Sequence, residues 1–348
     1  MNYFNVCIEQ IACVLPEEIL SSERIERMLK PLYDRLHLPT GRLELMTGIR
    51  ERRLWPKHMR PSEASAQAGE ATLEKAGVAR RAIDAILHCS VSRDFVEPAT
   101  STAVHRLMKL PNHVVNFDIS NACLGVLSGV LMMANMVELG QIQRGLVVAG
   151  ENSRPLVENT INHLNIDTSL SRNDIKPWFA SLTIGSAAVG ILVAHKDLAT
   201  NGHKLLGGVH RCNTEFNHLC QGGADSGMGE DTQPLMQTDS EELLVQGVAL
   251  ATETWKETKN SLGWTDQTPD VVCTHQVGKR HRMSLYDAVG LDPGLDFATV
   301  ETLGNCGAVS LPATVALAEE AGRLNPGDTL AMLGIGSGIN CLMLGVNW

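Results

Sequence analysis

The chain has 348 residues, 44% of them apolar and 20% charged, a composition that can bury a sizeable core in one large domain or two of ordinary size. Its formal net charge of −10 argues against a nucleic-acid surface, because phosphate binding needs a basic face. The opening MNYFNVCIEQ lacks a basic stretch followed by an apolar one, so no signal peptide is expected.

Short apolar runs then alternate with helix-like segments, the signature of α/β architecture. In chain order, the pattern predicts a helix over Ser62–Ala76 with Ser62 as its N-cap, and strands over Ala85–Ser90 and Val114–Ile119. A helix over Leu124–Leu139 follows, ended by Gly140, and then strands over Leu146–Ala149 and Ala187–Ala194. The longest uncharged stretch, residues 119–137, carries Ser120, Asn121, Ser128 and Asn135 and reads as a buried helix, not a transmembrane segment. The second part predicts a helix over Glu241–Leu262, a strand over Val271–Thr274, a helix over Leu311–Leu324 and a closing hairpin. The hairpin strands are Thr329–Leu333 and Ile339–Val346, joined by GIGSG. The apolar runs read as strands covered on both faces. The polar stretch at residues 196–202 divides the chain into residues 1–198 and 199–348, although no internal repeat is strong enough to show duplication. The polar segments Val157–Trp178 and Asn213–Asp239 read as lids or substrate-covering loops. Nine scattered cysteines, several in strand-like runs (Cys89, Cys273, Cys341), point to reduced thiols in a cytoplasmic protein.

The sharpest candidate for chemistry is Cys123, set between an apolar strand and an apolar helix. Backbone N–H groups at a helix N-terminus stabilise a thiolate and can form an oxyanion hole. A small buried cysteine is the competing reading. His275 ends the run Val271–Thr274, at the sheet edge where α/β sites form; a core histidine bonded to backbone is its alternative. Asn305 lies in a Gly-Asn-Cys-Gly turn before a helix, where ordinary turn chemistry competes. The GIGSG turn, residues 334–338, presents N–H groups suited to a substrate oxygen. Together a cysteine can take an acyl group, while neutral His and Asn donate hydrogen bonds to a second thioester and stabilise its enolate. The mixed run His210, Cys212, His218, Cys220 lacks zinc-site spacing, and no metal is expected there.

These residues, with the early stretch Thr47–Arg53 and the late Gly-Ile-Gly-Ser-Gly, resemble the ketoacyl synthase III branch of the thiolase superfamily. The segment Ser90–Pro98, the context Asn-Ala-Cys-Leu and the ending Leu-Gly-Ile-Gly-Ser-Gly-Ile-Asn-Cys resemble most closely the OleA family, the head-to-head acyl-condensing enzymes of long-chain olefin biosynthesis. The resemblance implies a thiolase fold of two similar βαβαβαββ halves in a five-layered α/β/α/β/α arrangement, and a homodimer. It implies that Cys123 is acylated, that His275 and Asn305 line a second oxyanion site, and that the N–H groups of Cys123 and Ser337 form the first. It places Glu97 across the dimer as a base in the partner's site, and Arg50, Arg52, Arg53 and Trp55 near a coenzyme A entrance. The implied substrates are fatty acyl-CoA thioesters, with no other cofactor; downstream lipid-biosynthesis enzymes or acyl carrier protein are further candidate partners. The chain departs from synthase III at His275-Gln-Val-Gly-Lys-Arg, where those enzymes usually read His-Gln-Ala-Asn, and at Cys306. The implied reaction is a non-decarboxylative Claisen condensation of two acyl-CoA molecules. The alternative is a decarboxylative synthase III using malonyl carrier protein.

Overall fold

The computed structural model describes residues 1–222 and 235–348. Nine strands form its large sheet: β1 (Val6–Val14), β2 (Ala85–His88), β3 (Val115–Asp118), β4 (Arg144–Glu151), β5 (Ala187–His195), β6 (His203–Cys212), β7 (Val271–Thr274), β8 (Thr329–Gly336) and β9 (Asn340–Asn347). Their spatial order is β7-β8-β9-β6-β1-β5-β4-β2-β3.

The order contains one pattern twice. From β1, the chain pairs antiparallel with β5, antiparallel to β4, parallel to β2 and parallel to β3. From β6, it pairs antiparallel with β9, antiparallel to β8 and parallel to β7. Val272 of β7 then makes a parallel bridge to Asp296, in the place that β3 holds in the first series. The two series join where Cys7 faces Lys204 and Ile8 faces His203.

Side-chain alternation sorts the helices into layers. Ile86, Leu146, Val148 and Leu192 face α1 (Pro61–Ala76), clustering with Ala66 and Leu73. The opposite face presents Leu87, Val147, Ala149, Val189 and Ile191 to α2 (Gly125–Glu138) and to the helix Ser310–Glu320. That same central cluster contains Leu330, Met332, Leu342 and Leu344 of the second series. Its far face, with Ala331, Leu333, Cys341 and Met343, packs on Leu250 and Trp255 of the helix Ser240–Leu262. The result is helix, sheet, helix, sheet, helix. Packing between α1 and β5 is close: a Cβ on Gly190 would lie 2.3 Å from Thr72 Oγ1. Across the sheet, Arg144 of β4 holds the buried Glu9 of β1 through two hydrogen bonds of 2.8 and 3.0 Å.

Several expectations need correction. Ser62 is not the N-cap of α1; Arg60 is, with Pro61 in the first turn. Ser62 instead donates its N–H and hydroxyl to Asp94 at 2.9 and 2.6 Å. The run 114–119 is not covered on both faces, because β3 is the edge strand and leaves Val115 exposed. The first part of the expected loop Val157–Trp178 is the end of the helix Arg154–Ile166, and its last residues enter the turn Lys176–Thr183. The expected loop at 213–239 begins with the turn Thr214–Leu219 and the short paired strands Cys220–Gly222 and Met236–Thr238, and its middle lies outside the described residues. Gly140 takes φ +69° just past the end of α2, as a helix-ending glycine does. Among the described residues, no helix is long and apolar enough to cross a membrane.

Candidate active site

β3 ends at Asp118, and the chain makes a single short turn, Ala122–Leu124, before α2 begins at Gly125. Ala122 has φ +44°, a left-handed conformation costly for a residue with a Cβ, so the backbone is held in strain next to Cys123. A side chain at Gly125 would meet Cys89 O at 2.3 Å, so glycine lets the helix start against the end of β2.

Cys123 is surrounded by protein yet keeps part of its surface accessible. Burial pushes its thiol up to about 12, with the charges of Cys220 and Glu151 adding to the shift. The N–H groups of Ser337 and of Cys123 itself bond toward the sulfur and oppose it. The resting group is therefore a protonated thiol flanked by the two amides that the family resemblance implies for an oxyanion site. The Ser337 turn is tied to the cysteine turn through Asn340, whose Nδ2 donates to Ser337 O and Asn121 Oδ1, both at 3.3 Å. A Cβ on Gly336 would touch Cys123 N and Cβ at 3.5 Å.

His275 follows β7 and donates its N–H to Leu333 O of β8 at 2.9 Å. Its Nδ1 is buried without a partner. Burial pulls the ring down to about 4, and the charge of His281 lowers it further. The imidazole is neutral near pH 7, and the orphaned Nδ1 favours placing the proton on Nε2 as a donor. Asn305 follows Gly304, which has φ +67°, and is pinned by its N–H to Thr183 O (3.0 Å) and its carbonyl to Gly185 N (2.9 Å). Its Oδ1 accepts from Gly307 N at 3.0 Å and Ser310 Oγ at 3.2 Å. With the oxygen so held, Nδ2 remains as a free donor. Cys306 does not point the same way: its sulfur donates to Leu303 O at 3.4 Å in the core, and burial raises the thiol strongly.

The fold brings these pieces together. The turn at Cys123 packs against both Gly307–Val309 and β8. From the contact of His275 with Leu333 to Gly336 is about 10 Å of strand. Glu97 is elsewhere. It is exposed, on a segment that also exposes Val91, Phe95 and Val96.

Of the four residues expected at a coenzyme A entrance, the structure leaves only Arg50 exposed. Arg52 is fully buried, donates to Leu20 O and Ser22 Oγ, and is lowered to about 10 by that burial, so it holds the hairpin Glu18–Leu54 together and reaches no ligand. Trp55 is buried with Nε1 on Glu151 O at 3.0 Å. Arg53 is half-buried and donates to Pro16 O. The sequence reading missed the exposed Lys279 and Arg280. Lys279 packs over Gly48, where a Cβ would lie 2.8 Å from its own, two residues from Arg50 in the chain. The run Gly-Lys-Arg after His275 carried that signal. Also missed was Glu151, a buried acid signalled by a charged residue closing the apolar run of β4. Among the described residues, no group of three or more His, Cys, Asp or Glu side chains is placed to hold a metal; Cys220 accepts from Thr238 Oγ1 at 3.4 Å.

A duplicated five-layered fold with Cys, His and Asn on neighbouring turns around β8 defines a condensing acyltransferase of the thiolase superfamily. Residues 45–188 match the thiolase N-terminal domain and residues 260–348 the C-terminal domain of 3-oxoacyl-[acyl-carrier-protein] synthase III. An acyl-CoA:acyl-CoA alkyltransferase from Shewanella oneidensis is 38% identical, over 100% of both chains. OleA from Xanthomonas campestris, solved with lauric acid and lauroyl-CoA, is 34% identical and superposes with a TM-score of 0.93 over 99% of this chain and 100% of that one. A beta-ketoacyl-[acyl-carrier-protein] synthase III from Desulfitobacterium hafniense is only 25% identical, over 87% of each. The chain belongs to the acyl-CoA:acyl-CoA alkyltransferases, the OleA family.

Proposed function

We propose that the enzyme joins two long-chain fatty acyl-CoA molecules without decarboxylation. In the first half-reaction Cys123 attacks one acyl-CoA; a thioester to sulfur forms, and coenzyme A leaves as its thiol. A second acyl-CoA then loses an α-proton to Glu97 of the partner subunit. His275 Nε2–H and Asn305 Nδ2–H hold the enolate oxygen. The enolate carbon attacks the acyl-Cys123 carbonyl, whose developing oxyanion lies between the N–H groups of Cys123 and Ser337. Collapse expels the Cys123 thiolate, which takes back the proton, and leaves a 2-alkyl-3-oxoacyl-CoA. Water cleaves that thioester to the 2-alkyl-3-oxoacid and coenzyme A. The reaction uses no cofactor beyond its substrates.

The observation that carries this reading is the pair of held donors. Asn305 has its oxygen occupied and its nitrogen free, and His275 is held neutral, so both serve a developing enolate better than they serve proton removal from the thiol. The greater distance to the synthase III relative favours acyl-CoA over malonyl carrier protein as second substrate. The exposed apolar segment at Glu97 suits a homodimer in which that segment is covered. Arg50, with Lys279 and Arg280, offers a basic rim for the phosphates of coenzyme A. We further assign the nucleophile to a half formed by residues 1–198 and the His and Asn to residues 199–348, and place the enzyme in the cytoplasm, where nine free thiols persist. The test is to give the pure enzyme a single long-chain acyl-CoA. A 2-alkyl-3-oxoacid should appear by mass spectrometry; product that forms only with malonyl carrier protein would replace this reading with the decarboxylative one.

A further inference from the structure

Glu151 closes β4 and is buried. Its carboxylate is saturated. Oε1 accepts from Val91 N at 2.8 Å and Ala308 N at 3.3 Å; Oε2 accepts from Ser92 N at 3.0 Å and Ser92 Oγ at 2.8 Å. With every partner a donor, it has no lone pair free to take a proton from substrate or thiol. What it does is join two segments distant in sequence. On one side it packs against Gly307, where a Cβ would lie 3.1 Å from Oε1, and Gly307 N–H holds Asn305 Oδ1 at 3.0 Å. On the other side Val91 and Ser92 are the root of the segment that runs out to Glu97. That root is fixed again by Asn152 N on Ser92 Oγ at 3.2 Å.

The geometry points to Glu151 as a positioning residue for the condensation step, one carboxylate that locks the Asn305 turn of its own site to the root of the arm that carries Glu97. The inference rests on the role proposed for Glu97. Because that arm serves the partner's site, Glu151 acts on two sites at once: through Asn305 on its own, through Glu97 on its neighbour's. A charge role alone would behave differently. Removing the negative charge beside Cys123 would ease formation of the thiolate and speed acylation.

The experiment separates acylation from condensation in Glu151→Gln and Glu151→Asp. Intact-protein mass after one acyl-CoA should show acyl-Cys123 forming within about threefold of the wild-type rate in both variants. Condensation should fall at least tenfold in both, as lower kcat with unchanged KM, because Gln sets a donor against N–H groups and Asp falls short of them. If Asp restores condensation while Gln does not, or if acylation accelerates in Gln and condensation is unaffected, Glu151 acts through charge and the positioning role is wrong. Should neither variant fold, Ser92→Ala removes one of the four donors and keeps the carboxylate; condensation lost with acylation kept supports the role, and wild-type condensation overturns it. Mixed dimers place the effect. With Cys123→Ala and Glu151→Gln on one chain and a wild-type partner, the only competent site receives Glu97 from the altered chain, and it should still be slow; normal activity there overturns coupling through the arm. Glu97→Ala run alongside keeps the two failures distinct: if it condenses normally, the reading of Glu97 fails, whereas a dead Glu97→Ala beside a normal Glu151→Gln sinks only this inference.

Discussion

Two regions of the molecule differ in how finished they are. The interior trio is complete within one chain: Cys123 sits between its own N–H and that of Ser337, Asn305 has its oxygen fixed, and His275 is neutral with its Nδ1 buried. The arm from Val91 to Pro98 is not. Its root is bonded by Glu151, but Val91, Phe95 and Val96 are 55%, 49% and 53% exposed, and Glu97 projects among them. Large side chains left open beside a carboxylate make sense once a second chain covers them. The difference matches the division of labour proposed above, in which acyl transfer to Cys123 uses groups of one chain and α-proton removal draws Glu97 from a second.

The largest effect tests that division. Cys123→Ala and Glu97→Ala homodimers should each be dead in condensation, the first because no acyl-enzyme forms, the second although it does. Mixing the two after dissociation pairs an intact cysteine with an intact glutamate in one site of each heterodimer. Random pairing should then restore about a quarter of wild-type condensation. Product formation read against subunit mixing time measures it. Mixed dimers that stay inactive while both parents are folded and paired would put Glu97 outside the partner's site.

A smaller effect sharpens the comparison from the interior side. His275→Ala and Asn305→Ala should still accept the first acyl group, seen as an added acyl mass, and should lose condensation by roughly a hundredfold, the usual cost of removing a donor to a developing oxyanion. Parallel loss of both half-reactions would mean that His275 activates the thiol instead.

How much of this could be read from the sequence follows the same line. The trio was nominated from three different signals: His275 directly follows the apolar run Val271–Thr274, Cys123 lies at a strand-to-helix turn, and Asn305 sits in a Gly-Asn-Cys-Gly turn before a helix. The closing hairpin was legible too, although β8 continues to Gly336 and pairs it with Asn340, so the turn is tighter than GIGSG suggests. β1 and β6 escaped notice because polar residues interrupt them: Glu9 lies in the middle of β1 and is paired with Arg144, far away in sequence. Arg52 and Trp55 were misplaced for a related reason. The hairpin strand Glu51–Leu54 alternates, and Arg52 shares the inward side with Leu54. Its two terminal nitrogens are held by Ser22 and Leu20, partners that no local pattern announces. The role proposed for Glu97 comes only from family resemblance, since a glutamate before a proline carries no signal of what covers it.

The smallest expected effect concerns pH. A solvated imidazole titrates near 6.5, whereas burial, reinforced by His281, holds His275 at about 4. Below about pH 6.5 the unfolded chain therefore binds a proton that the folded chain refuses, so the stability associated with this group is full above 6.5 and declines as pH falls toward 4. Activity should behave differently from stability across that window. In enzyme already acylated at Cys123, condensation between pH 5.5 and 8 should show no acid limb near 6.5 assignable to His275, because the donor keeps the same proton throughout. Single-turnover rates of the wild type and of His275→Asn, which retains a neutral N–H donor, provide the measurement, and their ratio should stay constant across the range. A ratio that falls with a midpoint near 6.5 would mean that the imidazole titrates as if solvated. It would then be a cation at the acid end of the range, and the contrast between a sealed interior and an open arm would fail at its histidine donor.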